Sequence, residues 1–336
     1  MNRRTFSAIS LAAALTPVPK PALAQQTKRD TVGYQFAAIN DGLLTVRFKG
    51  IARKGVAVSD NTLFQAASCS KTVTSLAVLT LVRDGRLALD EPVNQYLRRW
   101  QLPGLRGDVA TVAELMSHTA GTSISGFGGY GPNEDLPSLL EILRGWTPAN
   151  SGAVRARPRL FGKFNYSGGG TMALQALIED VTGEAFSTYA TRAVLQRVGA
   201  STATFAIRPQ GSIAHGFFEE GQPVVGGFRR HPESAAAGLW ATAADLAKIL
   251  QAVIDSLRRN RYAVLPLELA QRMITPASGQ SGLGVFVEPD RVIWHEGRNY
   301  GFDSIMAAEL TTGRVRAAVT NRNGAIEAYI RDLLPL

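Results

Sequence analysis

The order of apolar and polar residues predicts β-strands near both ends of the chain. Two apolar-rich runs, 34–39 and 43–51, are separated by Asn40-Asp41-Gly42, and an Asp-Gly pair between two such runs is a strong hairpin signal. Four short runs near the other end also have strand character: 283–287, 292–295, 304–309 and 314–320. We therefore expect an antiparallel sheet to which both ends of the chain contribute.

Helical patterns dominate the residues between these strands. The run 64–82 is strongly apolar, and Val73, Leu76 and Leu81 lie on one face of a predicted helix. Most of its other positions are apolar too, so the helix is expected to be buried on nearly all sides, and Asp84-Gly85 marks its end. Further helices are predicted at 93–97, 111–116, from about 170 to 183, at 242–257 and at 325–333.

This order of elements predicts a mixed α+β fold in which an antiparallel sheet is flanked by helices and a mostly helical lobe is inserted. The sheet lobe would comprise about 25–65 and 275–336, with the helical lobe between them. The last helix and the helix within 64–82 would cover the sheet. No internal repeat divides the chain, so we treat 25–336 as one domain.

The first 24 residues have the pattern of an export signal. Arg3 and Arg4 precede an apolar stretch, 8–15, and Ala22-Leu23-Ala24 fits a small-x-small cleavage site. Arg3-Arg4-Thr5-Phe6 also resembles a twin-arginine signal, and the pattern leaves the choice between the twin-arginine and the general export route open. The apolar stretch is too short to span a bilayer, and no other stretch is long enough. We expect an exported protein, periplasmic or secreted, without stable membrane insertion.

Composition and charge narrow the function classes. Apolar residues make up 45% of the 336 residues and charged residues 19%, which is typical of a folded globular domain. The net charge is +9, but the basic residues are scattered, as in the small group Arg155, Arg157 and Arg159, and no nucleic-acid motif accompanies them. We therefore expect a small-molecule or peptide substrate and no nucleic-acid partner; the sequence leaves the oligomeric state open.

The first candidate for chemistry is Ser68-Cys69-Ser70-Lys71, the chain's one Ser-x-x-Lys. A serine and a lysine three residues apart lie on neighbouring faces of a helical turn. A hydroxyl group beside a potential base, at the positive end of a buried helix, favours acyl transfer. The alternatives are an ordinary helix start with a surface lysine, and a nucleophilic Cys69, although no histidine or acid lies near Cys69 in sequence to activate it.

Other types of catalytic site find less support. The chain contains no Gly-x-Ser-x-Gly, which argues against an α/β-hydrolase. The four histidines form no His-Glu-x-x-His and no close ligand pair, so no metal site is expected. The glycines in 121–132 lack the flanking residues of a phosphate-binding loop. We expect neither a metal nor an organic cofactor.

Three short motifs stand in order along the chain: Ser68-x-x-Lys71, Tyr166-Ser167-Gly168 and His295-Glu296-Gly297. Their order resembles the serine β-lactamase and penicillin-binding protein superfamily, in the branch of class C β-lactamases, D,D-peptidases and β-lactamase-like esterases. The resemblance extends from about residue 34 to 323. It includes the segments 64–67, 81–92, 115–121, 237–242 and 299–302.

The resemblance implies the β-lactamase/D,D-peptidase fold and a role for each motif. Ser68 would form an acyl-enzyme, Lys71 would accept the Ser68 proton, and Tyr166 would share the proton transfer and protonate the leaving group. The backbone N–H groups of Ser68 and Arg298 would form the oxyanion hole. Substrate would also contact Gly168, His295 and Gly297. His118, in the segment 115–121, is expected to be structural.

Two departures from the pattern bear on the substrate. Gly168 stands where β-lactamases of this branch carry an asparagine, and His295 replaces a lysine that would hold a substrate carboxylate. Glu296 adds a negative charge nearby. The resemblance implies hydrolysis of amide bonds of the β-lactam or D-alanyl type, with small esters as the alternative. From another class, a non-catalytic penicillin- or peptide-binding protein is a third reading.

Overall fold

The computed structural model describes residues 32–104, 107–261 and 263–326. The predicted export signal, 1–24, lies outside the described residues, as does most of the predicted last helix, 325–333. Both stay predictions.

A six-stranded antiparallel sheet joins the two ends of the described chain. The order of its strands is β2-β1-β12-β11-β10-β9, so the N-terminal hairpin pairs with the C-terminal strands along β1 and β12. The strands are β1 (Tyr34–Asn40), β2 (Leu43–Lys49), β9 (Phe286–Val287), β10 (Val292–Asn299), β11 (Phe302–Glu309) and β12 (Val315–Thr320).

The first hairpin forms as its sequence predicts. Asn40 pairs with Leu43, which leaves Asp41 and Gly42 as a two-residue turn. Both turn residues have positive φ, 49° and 79°, the conformation that matches the twist of the flanking strands.

Eight α-helices are described, together with a 3₁₀ turn at Val93–Gln95 and a π-helical turn at Thr191–Leu195. The helices are α1 (Ser70–Arg83), α2 (Val112–Met116), α3 (Leu139–Arg144), α4 (Gly168–Thr182), α5 (Phe186–Ala190), α6 (Ser234–Ala237), α7 (Ala243–Leu257) and α8 (Leu267–Met273). Capping boxes at Thr111, Ser138 and Thr242 begin α2, α3 and α7. Helix α7 packs on β1, β11 and β12, and so supplies one face of the sheet with its cover.

Three two-stranded sheets complete the described fold. They pair β3 (Ile51–Arg53) with β4 (Val56–Ala57), β5 (Phe64–Ala67) with β8 (Leu239–Ala241), and β6 (Ala120–Thr122) with β7 (Ala156–Phe161). Strand β5 is completely buried and also packs against β10 and β11 of the large sheet. It therefore holds the start of α1 close to the large sheet.

The predicted helix within 64–82 begins later than its apolar pattern suggests. Residues 64–67 are strand β5, Ala67 has a positive φ of 46°, and Cys69 is the N-cap of α1. The sharp turn at Ala67 ends the strand, so Ser68 lies in the connection between β5 and α1 rather than in the first helical turn.

Other boundaries shift for similar reasons. The predicted strand 283–287 is reduced to Phe286–Val287, because Gly284 has a φ of 76°. The strand predicted at 292–295 continues to Asn299, since pairing with β11 satisfies a segment that looks polar in sequence. Helices α3 and α8 have no counterpart among the predicted elements, whereas the alternation of Arg155, Arg157 and Arg159, typical of an exposed strand or loop, runs into β7.

The predicted fold class is confirmed: an antiparallel sheet flanked by helices, with most of the helices in the middle of the chain. The exact limits of the two lobes stay a prediction. Among the described residues, no helix has the length and apolar character needed to cross a membrane.

The β1–β2 turn gives a test of the fold. Gly42→Ala places a Cβ at a φ of 79°, although nothing lies within 4 Å of that position. The cost is therefore backbone strain alone, and we expect the free energy of unfolding, measured by urea denaturation, to fall by about 1 kcal/mol. Gly126→Ala is the control, because Gly126 has neither a positive φ nor a close neighbour. Equal losses in both variants would contradict the turn assignment.

Candidate active site

Ser68 is the one accessible residue in a buried stretch. Every residue from Thr62 to Leu81 is buried except Ser68, which is partly exposed. The turn that presents it is held by hydrogen bonds from Cys69 N to Ala66 O, 3.0 Å, and from Lys71 N to Ser68 O, 3.0 Å. The Ser68 hydroxyl is thus fixed to rigid elements on both sides and reaches solvent.

Lys71 lies directly beneath this hydroxyl. Its Nζ is 3.0 Å from Ser68 Oγ and donates a hydrogen bond to Ala236 O at 2.7 Å. Burial lowers the pKa of Lys71 from 10.5 to about 7, because an ammonium group is costly to hold away from water. Near neutral pH a large fraction of the amine is therefore neutral, with a lone pair available to Ser68.

Tyr166 contacts both Ser68 and Lys71. Its hydroxyl is hydrogen-bonded to Ser68, and its ring centroid is 5.0 Å from Lys71 Nζ. Desolvation raises the pKa of Tyr166 above its usual 10, and the hydrogen bond with Ser68 offsets this only in part. The phenol is protonated at neutral pH, so it can donate a proton but cannot act as a base.

His118 supports the loop that carries Tyr166. It follows α2 with a positive φ of 59°, and its Nδ1 accepts the Ser167 N–H at 3.2 Å. Its ring centroid lies 4.6 Å from that of Tyr166. Burial, together with the charge of Lys71, puts the pKa of His118 well below 6.5, so its Nδ1 stays available as an acceptor. The sequence pattern indicated a structural residue, but not its contact with the second motif.

The third motif lies on β10, beside the connection that holds Ser68. A Cβ atom on Gly297 would fall 2.3 Å from Ala66 O and 2.8 Å from Ser68 N. No side chain fits there. Glycine is what allows β10 to approach the nucleophile this closely.

The register of the β10–β11 hairpin orients the backbone of Arg298. Asn299 pairs with Phe302 across a two-residue turn, so the pair Arg298–Asp303 is not hydrogen-bonded along the ladder. The Arg298 N–H therefore points away from β11. Its side chain is tied back to the buried Asp303, with Nε donating to Oδ1 at 3.0 Å.

His295 supplies no fixed positive charge. Its Nδ1 lies 2.7 Å from Glu296 O and must donate to that carbonyl. Burial is the main cause that lowers the pKa of His295 to about 3, with the charge of Lys71 adding to it. The imidazole is thus neutral, and within the described residues its buried Nε2 has no hydrogen-bond partner.

Cys69 is adjacent to Ser68 but faces the opposite way. Its thiol is buried, 3.3 Å from Ser304 Oγ and 3.6 Å from His295 O. Burial raises the pKa of Cys69 to about 12. A protonated thiol packed beneath β10 and β11 is no candidate nucleophile.

A cleft of about 530 Å³ opens beside these motifs. One side is the segment from Ser125 to Gly128, which meets the start of α4 at Gly168. The other side includes Phe218, Glu219 and Glu220. Arg298, Asn299, Tyr300 and Asn323 complete the lining. Ser68 is not in the lining, but Arg298 follows Gly297 directly, so the cleft adjoins the third motif.

Comparison with known proteins places this geometry in a family. Residues 20–334 match the family model described as Beta-lactamase. The chain is 26% identical over 270 residues to the putative penicillin-binding protein PbpX of Bacillus subtilis (strain 168), a match that covers 77% of this chain and 63% of the relative. It is 35% identical over 121 residues to the esterase EstB of Burkholderia gladioli, covering 35% of this chain and 30% of the relative.

A solved structure shows the same fold. The octameric penicillin-binding protein homologue from Pyrococcus abyssi superposes with a TM-score of 0.73 at 22% identity, over 92% of this chain and 73% of that one. The chain spans less than two thirds of the length of the curated relatives named above. Since the family model matches nearly the entire sequence, the chain belongs to the Beta-lactamase family.

Proposed function

We propose that the protein is a serine hydrolase that forms an acyl-Ser68 intermediate, with Lys71 as the base and Tyr166 as the acid. One observation carries the proposal: Ser68 Oγ is hydrogen-bonded to Tyr166 and lies 3.0 Å from a buried Lys71 whose pKa is about 7. A serine needs such a base to become a nucleophile.

Acylation proceeds in two proton transfers. Neutral Lys71 takes the proton from Ser68 Oγ as the oxygen attacks the carbonyl carbon of the substrate. The resulting oxyanion is stabilised by the N–H groups of Ser68 and Arg298, of which the latter points away from β11. The Tyr166 hydroxyl then protonates the leaving group and recovers a proton from the Lys71 ammonium.

Deacylation reverses these roles around a water molecule. Water takes the place of the leaving group and attacks the acyl carbonyl. Its proton passes to the neutral Lys71 amine, with Tyr166 as the relay. Ser68 leaves with a proton from Lys71, and the site returns to its starting state. Lys71 and Tyr166 regain their protons or lone pairs within each step, the leaving group carries away the Ser68 proton and water replaces it, so the proposed cycle balances without a metal or organic cofactor.

The charges around the site favour an uncharged substrate. His295 is neutral and buried, so it does not supply the positive charge of the lysine that β-lactamases of the resembled branch carry at this position. Glu219 and Glu220 line the cleft. A carboxylate next to the scissile bond, as in β-lactams and D-alanyl peptides, finds less support here than a small uncharged ester or amide. The relatives, named for penicillin binding and for ester hydrolysis, are compatible with acyl transfer to serine on either substrate.

The non-catalytic alternative fits the site less well. A binding protein has no use for a buried lysine with its pKa lowered to about 7, which costs the folded protein stability. Lys71 Nζ lies 3.0 Å from Ser68 Oγ, a position in which a neutral amine can accept the serine proton.

We also infer that residues 1–24 direct export, on the strength of Arg3-Arg4, the apolar stretch 8–15 and Ala22-Leu23-Ala24. Expression of the full chain in a bacterial host, with N-terminal sequencing of the product outside the cytoplasm, is expected to give Gln25 as the first residue. A product that keeps Met1 and stays in the cytoplasm would contradict export.

Turnover and labelling test the nucleophile. The protein is expected to react with a fluorescent fluorophosphonate and to hydrolyse p-nitrophenyl butyrate, and Ser68→Ala to lose both. A chromogenic cephalosporin, whose carboxylate has no fixed cation to pair with, is expected to turn over much more slowly than the ester.

Each other outcome separates the alternatives. Rapid cephalosporin hydrolysis would show that the protein acts on β-lactam amides. It would also show that the charges around the site do not disfavour a substrate carboxylate. A stable adduct with fluorescent penicillin and no turnover of any substrate would favour a binding protein. Cys69→Ala is the matched control, since labelling that is lost in this variant but kept in Ser68→Ala would make the thiol the nucleophile.

The pKa of Lys71 predicts the pH dependence. Below about pH 7 the lysine is protonated and cannot accept the Ser68 proton, so kcat/KM for the ester is expected to fall about tenfold per pH unit. Above pH 7 it should reach a plateau, because the pKa of Tyr166 is raised and the phenol keeps its proton.

Variants assign this profile to Lys71. Lys71→Met is expected to lower kcat/KM by about 10²–10⁴-fold and to remove the inflection near pH 7. Lys54→Met, in the exposed turn between β3 and β4, is the control and should leave rate and profile unchanged. A rate that decreases as the pH rises through 7 would rule out a neutral lysine as the base.

A further inference from the structure

We propose that Phe127, with Phe218 and Tyr300 opposite it, forms an aromatic subsite that selects substrates whose acyl group carries an aromatic ring. The inference rests on the proposed function and names the substrate class for that site. Gly168 is the residue that makes room for Phe127.

The segment that carries Phe127 is fixed to the second motif. The N–H groups of Gly168 and Gly169 donate to the carbonyls of Ser125 and Ile124, each at 3.0 Å. Ser167 Oγ donates to Ser123 O at 2.8 Å. These bonds hold the segment from Ser123 to Ser125 against the start of α4, and Phe127 lies beside Gly168.

Gly168 is required for space and not for backbone freedom. It begins α4 without a positive φ, so a residue with a side chain could adopt its conformation. A Cβ atom there would lie 3.0 Å from Phe127 Cε2, 3.2 Å from Ser125 O and 3.3 Å from Phe127 Cδ2. The Phe127 ring therefore occupies the volume that a side chain at position 168 would fill.

Aromatic residues also form the facing side of the cleft. The rings of Phe218 and Tyr300 meet edge to face with centroids 5.7 Å apart. Arg229 lies over the Tyr300 ring at 5.4 Å, and Tyr300 is 47% exposed. A Cβ on Gly128 would lie 3.9 Å from Tyr300, so the two sides come close together there. Phe127, Phe218 and Tyr300 thus line one cleft, and aromatic residues at its wall favour an aromatic ring over an aliphatic chain.

The position of the cleft assigns it to the acyl part of the substrate. The leaving group departs beside Tyr166, which is not in the cleft lining, whereas Arg298 and Asn299 are. In the proposed mechanism the leaving group lies on the Tyr166 side of the carbonyl, so we assign the cleft, which begins at the proposed oxyanion donor Arg298, to the acyl group. Glu219 and Glu220 are also in the lining, while Arg298 is paired with Asp303, so the subsite disfavours an acyl group that ends in a carboxylate.

A pair of esters with one leaving group measures this selectivity. We expect wild-type kcat/KM to be higher for p-nitrophenyl phenylacetate than for p-nitrophenyl acetate, and the ratio to fall about tenfold or more in Phe127→Ala. Phe127→Leu should lie between. Mono-p-nitrophenyl succinate, which ends in a carboxylate, should react more slowly than p-nitrophenyl butyrate.

Gly168→Ala tests the same idea with Phe127 intact. The new methyl group pushes the ring by a few tenths of an ångström, so the phenylacetate-to-acetate ratio should fall, though by less than in Phe127→Ala. The double variant should lose no more than Phe127→Ala alone, because both changes act on one ring. Phe48→Ala, an exposed phenylalanine on β2, is the matched control and should keep the wild-type ratio.

Labelling by a fluorophosphonate keeps the two levels of the proposal apart. Variants that label normally but keep the wild-type ratio would overturn the aromatic subsite and leave the hydrolase intact. A wild type that neither labels nor hydrolyses any ester would overturn both. A variant that fails to label is judged by its thermal unfolding, and Phe127→Leu, the mildest change, then decides the outcome.

Discussion

A lysine amine buried beside an exposed hydroxyl is the constraint around which this molecule is built. Holding the Lys71 ammonium in its place costs about 5 kcal/mol relative to water, from a pKa lowered from 10.5 to about 7. The neutral amine still needs an acceptor for its hydrogens, and Ala236 O provides one. The burial itself comes from α1, whose residues from Ser70 to Leu81 are all covered. The helices that pack on α1, namely α4, α5 and α6, are therefore part of the chemistry, because they exclude the water that would restore the charge.

The same dry surroundings assign opposite roles to two neighbouring groups. Desolvation disfavours the charged form of each, which is the ammonium for Lys71 and the phenolate for Tyr166. One pKa falls and the other rises, so near neutral pH an amine with a free lone pair faces a phenol with its proton. In the proposed mechanism the first accepts and the second donates. The site needs no carboxylate to set these roles.

The sequence predicted the groups of this site better than their placement. The spacing of Ser68 and Lys71 was enough to bring them together, since the turn closed by the Lys71 N–H to Ser68 O hydrogen bond has the reach of a helical turn. It could not show that Ala67 turns the chain before the helix begins. The polar residues 296–299 did not indicate that β10 continues to Asn299. That continuation depends on pairing with β11, which a period of apolar residues does not reveal. The glycines in 121–132 gave no sign of Phe127's place, because the segment before it is held by hydrogen bonds from Gly168 and Gly169, which are distant in sequence.

Gly297 and Gly168 show how one residue type serves two purposes in a single site. At Gly297 the absence of a side chain brings two backbones together, since Ala66 O and Ser68 N lie where a Cβ would stand. At Gly168 it admits another side chain, the ring of Phe127. The first contact concerns the attack on any carbonyl, and the second concerns only which acyl group can be placed there. Substitution at Gly168 can therefore change the substrate without touching the nucleophile, whereas at Gly297 the two strands that frame Ser68 would have to separate.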